Sequence, residues 1–313
     1  MTLAFVFPGQ GSQGLGMLAE LATRSATVKA TFDEASSGAG IDLWQLAQHG
    51  PEAELNRTEL TQPALLAAGV AVWRLWIDAG APRPSLLAGH SLGEYTALVC
   101  SGALDLSAAA ALVRERGRLM QDAVPAGVGA MAAVLGGDDA LIAAVCEQVA
   151  GGEVVAAANY NSPGQTVIAG HAAAVDRALA ELAARGVRKS VRLPVSVPSH
   201  TALMTVAAER LGERMAGIAW REPAIPVVQN AEAASHASIT EIRAALVRQL
   251  YRPVQWIGCV HELVDRGATA IGECGPGKVL SGLIKRINRD IDVRALGQAA
   301  EFDAALAAWS ARS

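Results

Sequence analysis

Leu3 to Phe7 is a run of five apolar residues with no polar alternation, closed by Pro8-Gly9. Runs of this kind belong to strands covered on both faces, which is the condition of a parallel sheet. Helical periodicity follows from Leu15 to Ala35 and from Pro63 to Asp78. Ser85 to Ala88 then repeats the short apolar pattern and leads into a helical stretch opening near Leu92. Alternating strands and helices predict an α/β fold.

Between Pro125-Ala126-Gly127 and Pro194 the rhythm changes. Strand patterns at 128–135, 154–160, 166–169 and 187–193 enclose helical patterns at 138–149 and 172–185. The order βαββαβ is that of the ferredoxin-like split unit. The expected organisation is a body with a parallel sheet, residues 1–125 and 195–313, interrupted by a small ferredoxin-like domain over 126–194 with Gly- and Pro-bearing hinges. The body resumes with a helix after His200 and strands near Val227 and Ala270.

Composition narrows the function classes. With 51% hydrophobic and 18% charged residues the 313-residue chain buries a sizeable core, and its 4% aromatic content makes that core one of small aliphatic side chains. A net charge of −4, from 26 basic and 30 acidic residues, offers no general attraction to nucleic acid or an acidic membrane. The longest apolar run, Ala64 to Trp73, is interrupted by Gly69 and stopped by Arg74, so no membrane span is expected. The amino terminus has no basic leader, and a cytoplasmic protein is expected. Cys100, Cys146, Cys259 and Cys274 are widely spaced in apolar settings, which predicts reduced core thiols and no metal site.

Two glycine motifs fall short of phosphate binding. Gly9-Gln10-Gly11-Ser12-Gln13-Gly14 follows a strand and fits the dinucleotide fingerprint. The acidic residues about 20 positions on, Asp33 and Glu34, lie in a helical pattern and not at a strand end. Gly272 to Val279 approaches the Walker A spacing, but Val279 stands where a magnesium-holding hydroxyl is required.

Gly89-His90-Ser91-Leu92-Gly93 fits the G-x-S-x-G elbow, in the strand–turn–helix context that the motif needs. Flanking glycines allow a tight turn that sets a serine hydroxyl at a helix amino terminus, where developing negative charge is favoured. Serine requires a base. Among six histidines, His200 ends an extended segment just before a helical run, close to where α/β sites gather and where a helix amino terminus would keep it neutral. His90 adjoins the serine but is expected to point away and pack. On the helix over 112–123, Arg116 falls in the middle of the stripe formed by Leu112, Val113, Leu119, Met120 and Ala123. A buried guanidinium must find an anion, either an internal carboxylate or that of a substrate.

Taken together, Phe7 to Gln13, Gly89 to Glu94, Arg116-Gly117 with Met120, Asn159 to Gln165, Val197 to His200 and Gly275 to Gly277 resemble the malonyl-CoA:acyl carrier protein transacylase family, in order and spacing over almost the whole chain. The resemblance implies an α/β-hydrolase-like body with the ferredoxin-like insert. It further implies Ser91 as the acylated nucleophile, His200 as its base and acid, and Arg116 as the clamp on a malonyl carboxylate. Backbone N–H groups of Gln10 and Leu92 would form the oxyanion hole, the main-chain carbonyl of Gln249 would orient His200, and Met120 and Asn161 would face the acyl pocket or the pantetheine arm. The implied partners are malonyl-CoA and phosphopantetheinylated acyl carrier protein, with no cofactor, no metal, no nucleic acid and no membrane, and a monomeric enzyme supplying fatty-acid synthesis. Rival readings are a serine hydrolase or thioesterase, which would more often give its histidine an Asp or Glu, a non-catalytic acyl-binding module, and malonyl transfer in polyketide or malonate-decarboxylase systems. Candidate cationic surfaces for an acidic carrier are Arg185, Arg188, Lys189 and Arg192, and a helical cluster of Lys285, Arg286 and Arg289.

Overall fold

The computed structural model describes residues 1–125, 127–195 and 197–311. Ala126, which opens the expected insert, Ser196 before His200, and Arg312 and Ser313 at the end of the expected body lie outside the described residues.

The chain begins with β1 (Leu3–Phe7), then α1 (Ala19–Arg24), α2 (Ala26–Ala39), α3 (Leu43–His49), α4 (Glu52–Leu55) and α5 (Thr58–Asp78). β2 (Leu86–Gly89) leads through the serine turn into α6 (Gly93–Cys100) and α7 (Leu106–Ala123). The expected helix over 15–35 is divided at Ser25, whose hydroxyl accepts the N–H of Thr27 and so starts α2 afresh. α5 begins a turn and a half before Pro63, which lies inside it.

The insertion follows: β3 (Gly129–Leu135), α8 (Asp139–Val149), β4 (Val155–Ser162), β5 (Gln165–His171), α9 (Ala172–Ala184) and β6 (Lys189–Arg192). Its strands form an antiparallel sheet in the order β4-β5-β3-β6, the ferredoxin-like arrangement. α8 and α9 cover one face through Ala132, Val134, Ile142, Val145, Ile168 and Val175. The opposite face carries Met131, Ala158, Val167 and Ala169 and is joined by Leu193 and Val195.

After a short 3₁₀ turn at Ala202–Met204 come α10 (Thr205–Ala216), β7 (Val227–Gln229), β8 (Ala234–Ser235), α11 (Ile239–Tyr251) and α12 (Trp256–Asp265). β9 (Ala270–Glu273), α13 (Val279–Ile287), β10 (Asp292–Ala295) and α14 (Ala299–Ser310) complete the body. Its sheet runs β10-β9-β1-β2-β7-β8, parallel except for β8. β1 shows why five apolar residues were needed: Leu3, Phe5 and Phe7 enter the core beneath α2, α5 and α7, and Ala4 and Val6 enter the opposite one around Trp256 and Ile284. α5 is 21 residues long and apolar enough to cross a membrane by length and composition, but 78% of its most apolar window is buried inside the protein, the setting of a core helix. All four cysteines are buried free thiols.

Arg289 lies beyond the end of α13 at Ile287, so the expected four-residue spacing with Lys285 on one helical face does not exist. Lys285 Nζ instead donates to the carbonyl of Ile291, and Arg286 to the side chain of Gln165 across the two sheets.

Candidate active site

Ser91 sits between β2 and α6 with φ of 51°, a left-handed conformation that costs an L-residue roughly 1–2 kcal/mol. The elbow closes only because its flanks are glycine. A Cβ on Gly93 would stand 2.0 Å from the carbonyl oxygen of Phe7, and one on Gly89 1.9 Å from the carbonyl carbon of Gly93. Asn230, just after β7, ties the turn at both ends: its Oδ1 accepts the N–H of Ser91 at 2.7 Å and its Nδ2 donates to the carbonyl of Gly89 at 2.7 Å. The N–H of Ser91 is thereby engaged, whereas among the described residues no acceptor pairs with the N–H of Gln10 or Leu92. Both residues line a cavity of about 500 Å³, together with Ser91, Arg116, Met120, Asn161 and His200. The cavity lies between the mouth of the parallel sheet and the helix-free face of the insertion, which contributes Met131, Val167 and Leu193.

His200 Nε2 is 2.9 Å from Ser91 Oγ, and His200 Nδ1 is 2.6 Å from the main-chain carbonyl of Gln249 on α11. A carbonyl can only accept, so Nδ1 carries the proton and Nε2 faces the hydroxyl with a free lone pair. His200 is 3% exposed. Burial, followed by the nearby charge of Arg116, pushes its pKa down to about 3. The cause is therefore desolvation, not the helix terminus anticipated from sequence. The partner of Nδ1 is a backbone carbonyl where hydrolases more often place a carboxylate.

Arg116 is 1% exposed on the inward face of α7. Gly117 brings α7 against α5, where a Cβ would stand 2.5 Å from Glu59 Cα. Arg116 Nη1 consequently reaches Gln62 Oε1 at 2.7 Å, while Nη2 donates to Gln249 Oε1 at 3.0 Å and to Ser91 Oγ at 3.2 Å. All three acceptors are uncharged, so the internal carboxylate left open by the sequence is not in contact with its terminal nitrogens. Met120 Sδ accepts from Gln62 Nε2 at 3.5 Å. Asn161 Oδ1 is 2.8 Å from His90 Nε2, so His90 turns to the insertion while still lining the cavity. Gln249 stands behind the cavity wall, fully buried.

The acyl transferase domain family matches residues 4–295. A malonyl CoA-acyl carrier protein transacylase of Salmonella typhimurium is 53% identical over 303 residues, covering 97% of this chain and 98% of that one. The chain belongs to the malonyl-CoA:acyl carrier protein transacylase family. Among solved transacylases, that of Xanthomonas oryzae pv. oryzae is 64% identical with a TM-score of 0.98, over 99% of this chain and 100% of that one. A malonyl-transacylase in complex with its type II polyketide acyl-carrier protein is 51% identical with a TM-score of 0.97, over 98% and 100% of the two chains.

Sequence reasoning missed Gln62, which lines the cavity, and Asn230, Gln229 and Glu94, which are buried behind it. Gln62 and Gln229 carry no motif. Glu94 ends the elbow motif and, one helical turn after His90, could have been singled out as a carboxylate in an otherwise apolar helix.

Proposed function

We propose that the enzyme transfers a malonyl group from malonyl-CoA, through an ester on Ser91, to the phosphopantetheine thiol of acyl carrier protein, supplying fatty-acid synthesis. The observation that carries this reading is Arg116, a buried cation held by amide oxygens with no carboxylate in contact and placed 3.2 Å from the nucleophile. A guanidinium in that state selects an acyl group that brings its own anion.

Arg116 donates to Ser91 Oγ, which leaves the serine proton directed at His200 Nε2. Attack on the thioester carbonyl transfers that proton to Nε2, and the N–H groups of Gln10 and Leu92 receive the oxyanion. The C–S bond then breaks, and the CoA sulfur takes the proton from His200. In the second half, the carrier thiol gives its proton to Nε2 and attacks the ester. The C–O bond breaks and Ser91 Oγ regains the proton. The carbonyl of Gln249 holds the imidazole through both halves, so no triad carboxylate enters. Asn161, joined to His90, and Met120 would flank the pantetheine arm and the acyl group.

The reading includes the division into a body of 1–125 and 195–313 and an insert of 126–194, supported by the separate apolar core of each sheet. It also includes a cytoplasmic monomer with no nucleic-acid or membrane partner, in keeping with a net charge of −4. The test is intact mass after mixing with malonyl-CoA. A malonyl adduct should form on Ser91 without carrier and disappear when phosphopantetheinylated carrier is added; an adduct elsewhere, or none in a rapidly quenched sample, refutes it.

A further inference from the structure

Behind the cavity lies a carboxylate that this chemistry leaves unused. Glu94, on the first turn of α6, is fully buried. It accepts from Gln229 Nε2 at 2.9 Å, from the N–H of Asn230 at 2.8 Å and from Gln249 Nε2 at 2.8 Å. Each of these three groups donates to the carboxylate, an arrangement that favours its ionised form. Burial raises its pKa, and these hydrogen bonds oppose the rise.

The consequence falls on Gln249. Its Nε2 donates both to Glu94 and to the carbonyl of Ser91, at 2.9 Å. With acceptors on two sides the amide cannot turn over, and Oε1 must face Arg116 Nη2. The reversed amide would set two donors, NH₂ and guanidinium, against each other, and would leave Glu94 facing an oxygen. The same residue holds His200 through its main-chain carbonyl. Gln249 thus steadies the base with its backbone and the cation with its side chain, and only the second depends on Glu94.

We propose that Glu94 is a positioning residue: by fixing the amide polarity of Gln249 it aims Arg116, and so sets the preference of the site for acyl groups that carry a carboxylate. The proposal rests on the role given to Arg116 above.

The test compares kcat/KM for acylation of the full-length enzyme by malonyl-CoA and by acetyl-CoA, as a ratio, in E94D, E94Q, Q249M, E94D/Q249M and R116A. E94D keeps the charge but withdraws it by one carbon–carbon bond, about 1.5 Å, beyond reach of Gln249. Its malonyl:acetyl ratio should fall about tenfold or more. E94Q can keep an oxygen toward Asn230 and Gln249 and should retain more of the ratio than E94D. Q249M should lose the ratio as E94D does, and the double variant should fall no further than Q249M, because both changes cut one path. Equal loss of both substrates in folded E94D, losses that multiply in the double variant, or a ratio in E94D above that in E94Q would each overturn the proposal. If E94D does not fold, E94Q/Q249M against Q249M makes the same comparison. An unchanged ratio in R116A would overturn the reading of Arg116 itself, whereas a fall in R116A with none in E94D would sink only the role of Glu94.

Discussion

The acid limb of the reaction gives the sharpest check on the buried base. An imidazole with the ordinary pKa of 6.5 would be neutral in about three quarters of molecules at pH 7 and in about 3% at pH 5, so a rate depending on it would fall roughly 25-fold. His200, buried beside Arg116 with its pKa near 3, stays neutral across that whole interval. Because kcat/KM reports the free enzyme, acylation by malonyl-CoA should change by less than about twofold between pH 7 and pH 5, measured by stopped-flow release of CoA. Stability should move in the opposite sense to this constancy. The unfolded imidazole takes up a proton over the same interval and the folded one does not, so acid favours the unfolded chain, by about 2 kcal/mol from this residue alone. That contribution is complete above pH 6.5 and is lost as pH falls from there toward 3. Buried His90, also held below its ordinary value by desolvation, adds to the loss in the same direction. Urea melts at pH 7 and pH 5 measure it, and H200A should lose less stability on acidification than the native enzyme. An acid limb in kcat/KM near pH 6.5, in enzyme shown to be folded there, would refute the argument that burial and the neighbouring cation keep this base free of protons.

Other expectations follow from single contacts. Arg116→Ala should cost malonyl transfer on the order of 3–5 kcal/mol more than acetyl transfer, since a buried pair is lost only with the first substrate; parallel kinetics with the two CoA esters checks it. Asn230→Ala removes the ties at Ser91 N–H and Gly89 O, and should lower kcat for both substrates together while reducing the melting temperature. Gly93→Ala places a Cβ against the Phe7 carbonyl and should abolish soluble folded protein, scored by expression and circular dichroism. Arg286→Glu, at an exposed cation beside the cavity-lining Gln165, should raise KM for an acidic carrier and blunt its salt dependence without altering acylation; an unchanged KM would leave the cluster of Arg185, Arg188, Lys189 and Arg192 as the surface to test.

The parts of this protein that were legible in the chain are those whose reason is local. Five unbroken apolar residues at Leu3–Phe7 imply a strand covered on both faces whatever covers it, and the elbow glycines are demanded by one tight turn. Periodicity also gave the βαββαβ order of the insertion, and it put Arg116 on an apolar stripe before any partner was known. Boundaries were less secure where caps compete with pattern, as at Ser25, or where a helix simply stops, as α13 does before Arg289. What the tertiary structure alone decided is who meets whom. Residues 62, 116, 200, 230 and 249 come from elements separate from one another and from the elbow that carries 91 and 94, and no periodicity relates them to it. Their meeting depends on the approach of α7 to α5 at Gly117 and on the packing of α11 behind the elbow. Burial is likewise a property of the assembled site, which is why the sequence could name His200 but assigned its neutrality to a helix terminus. The low dielectric of the closed core is what keeps it neutral, and that exists only once the sheets and helices have packed.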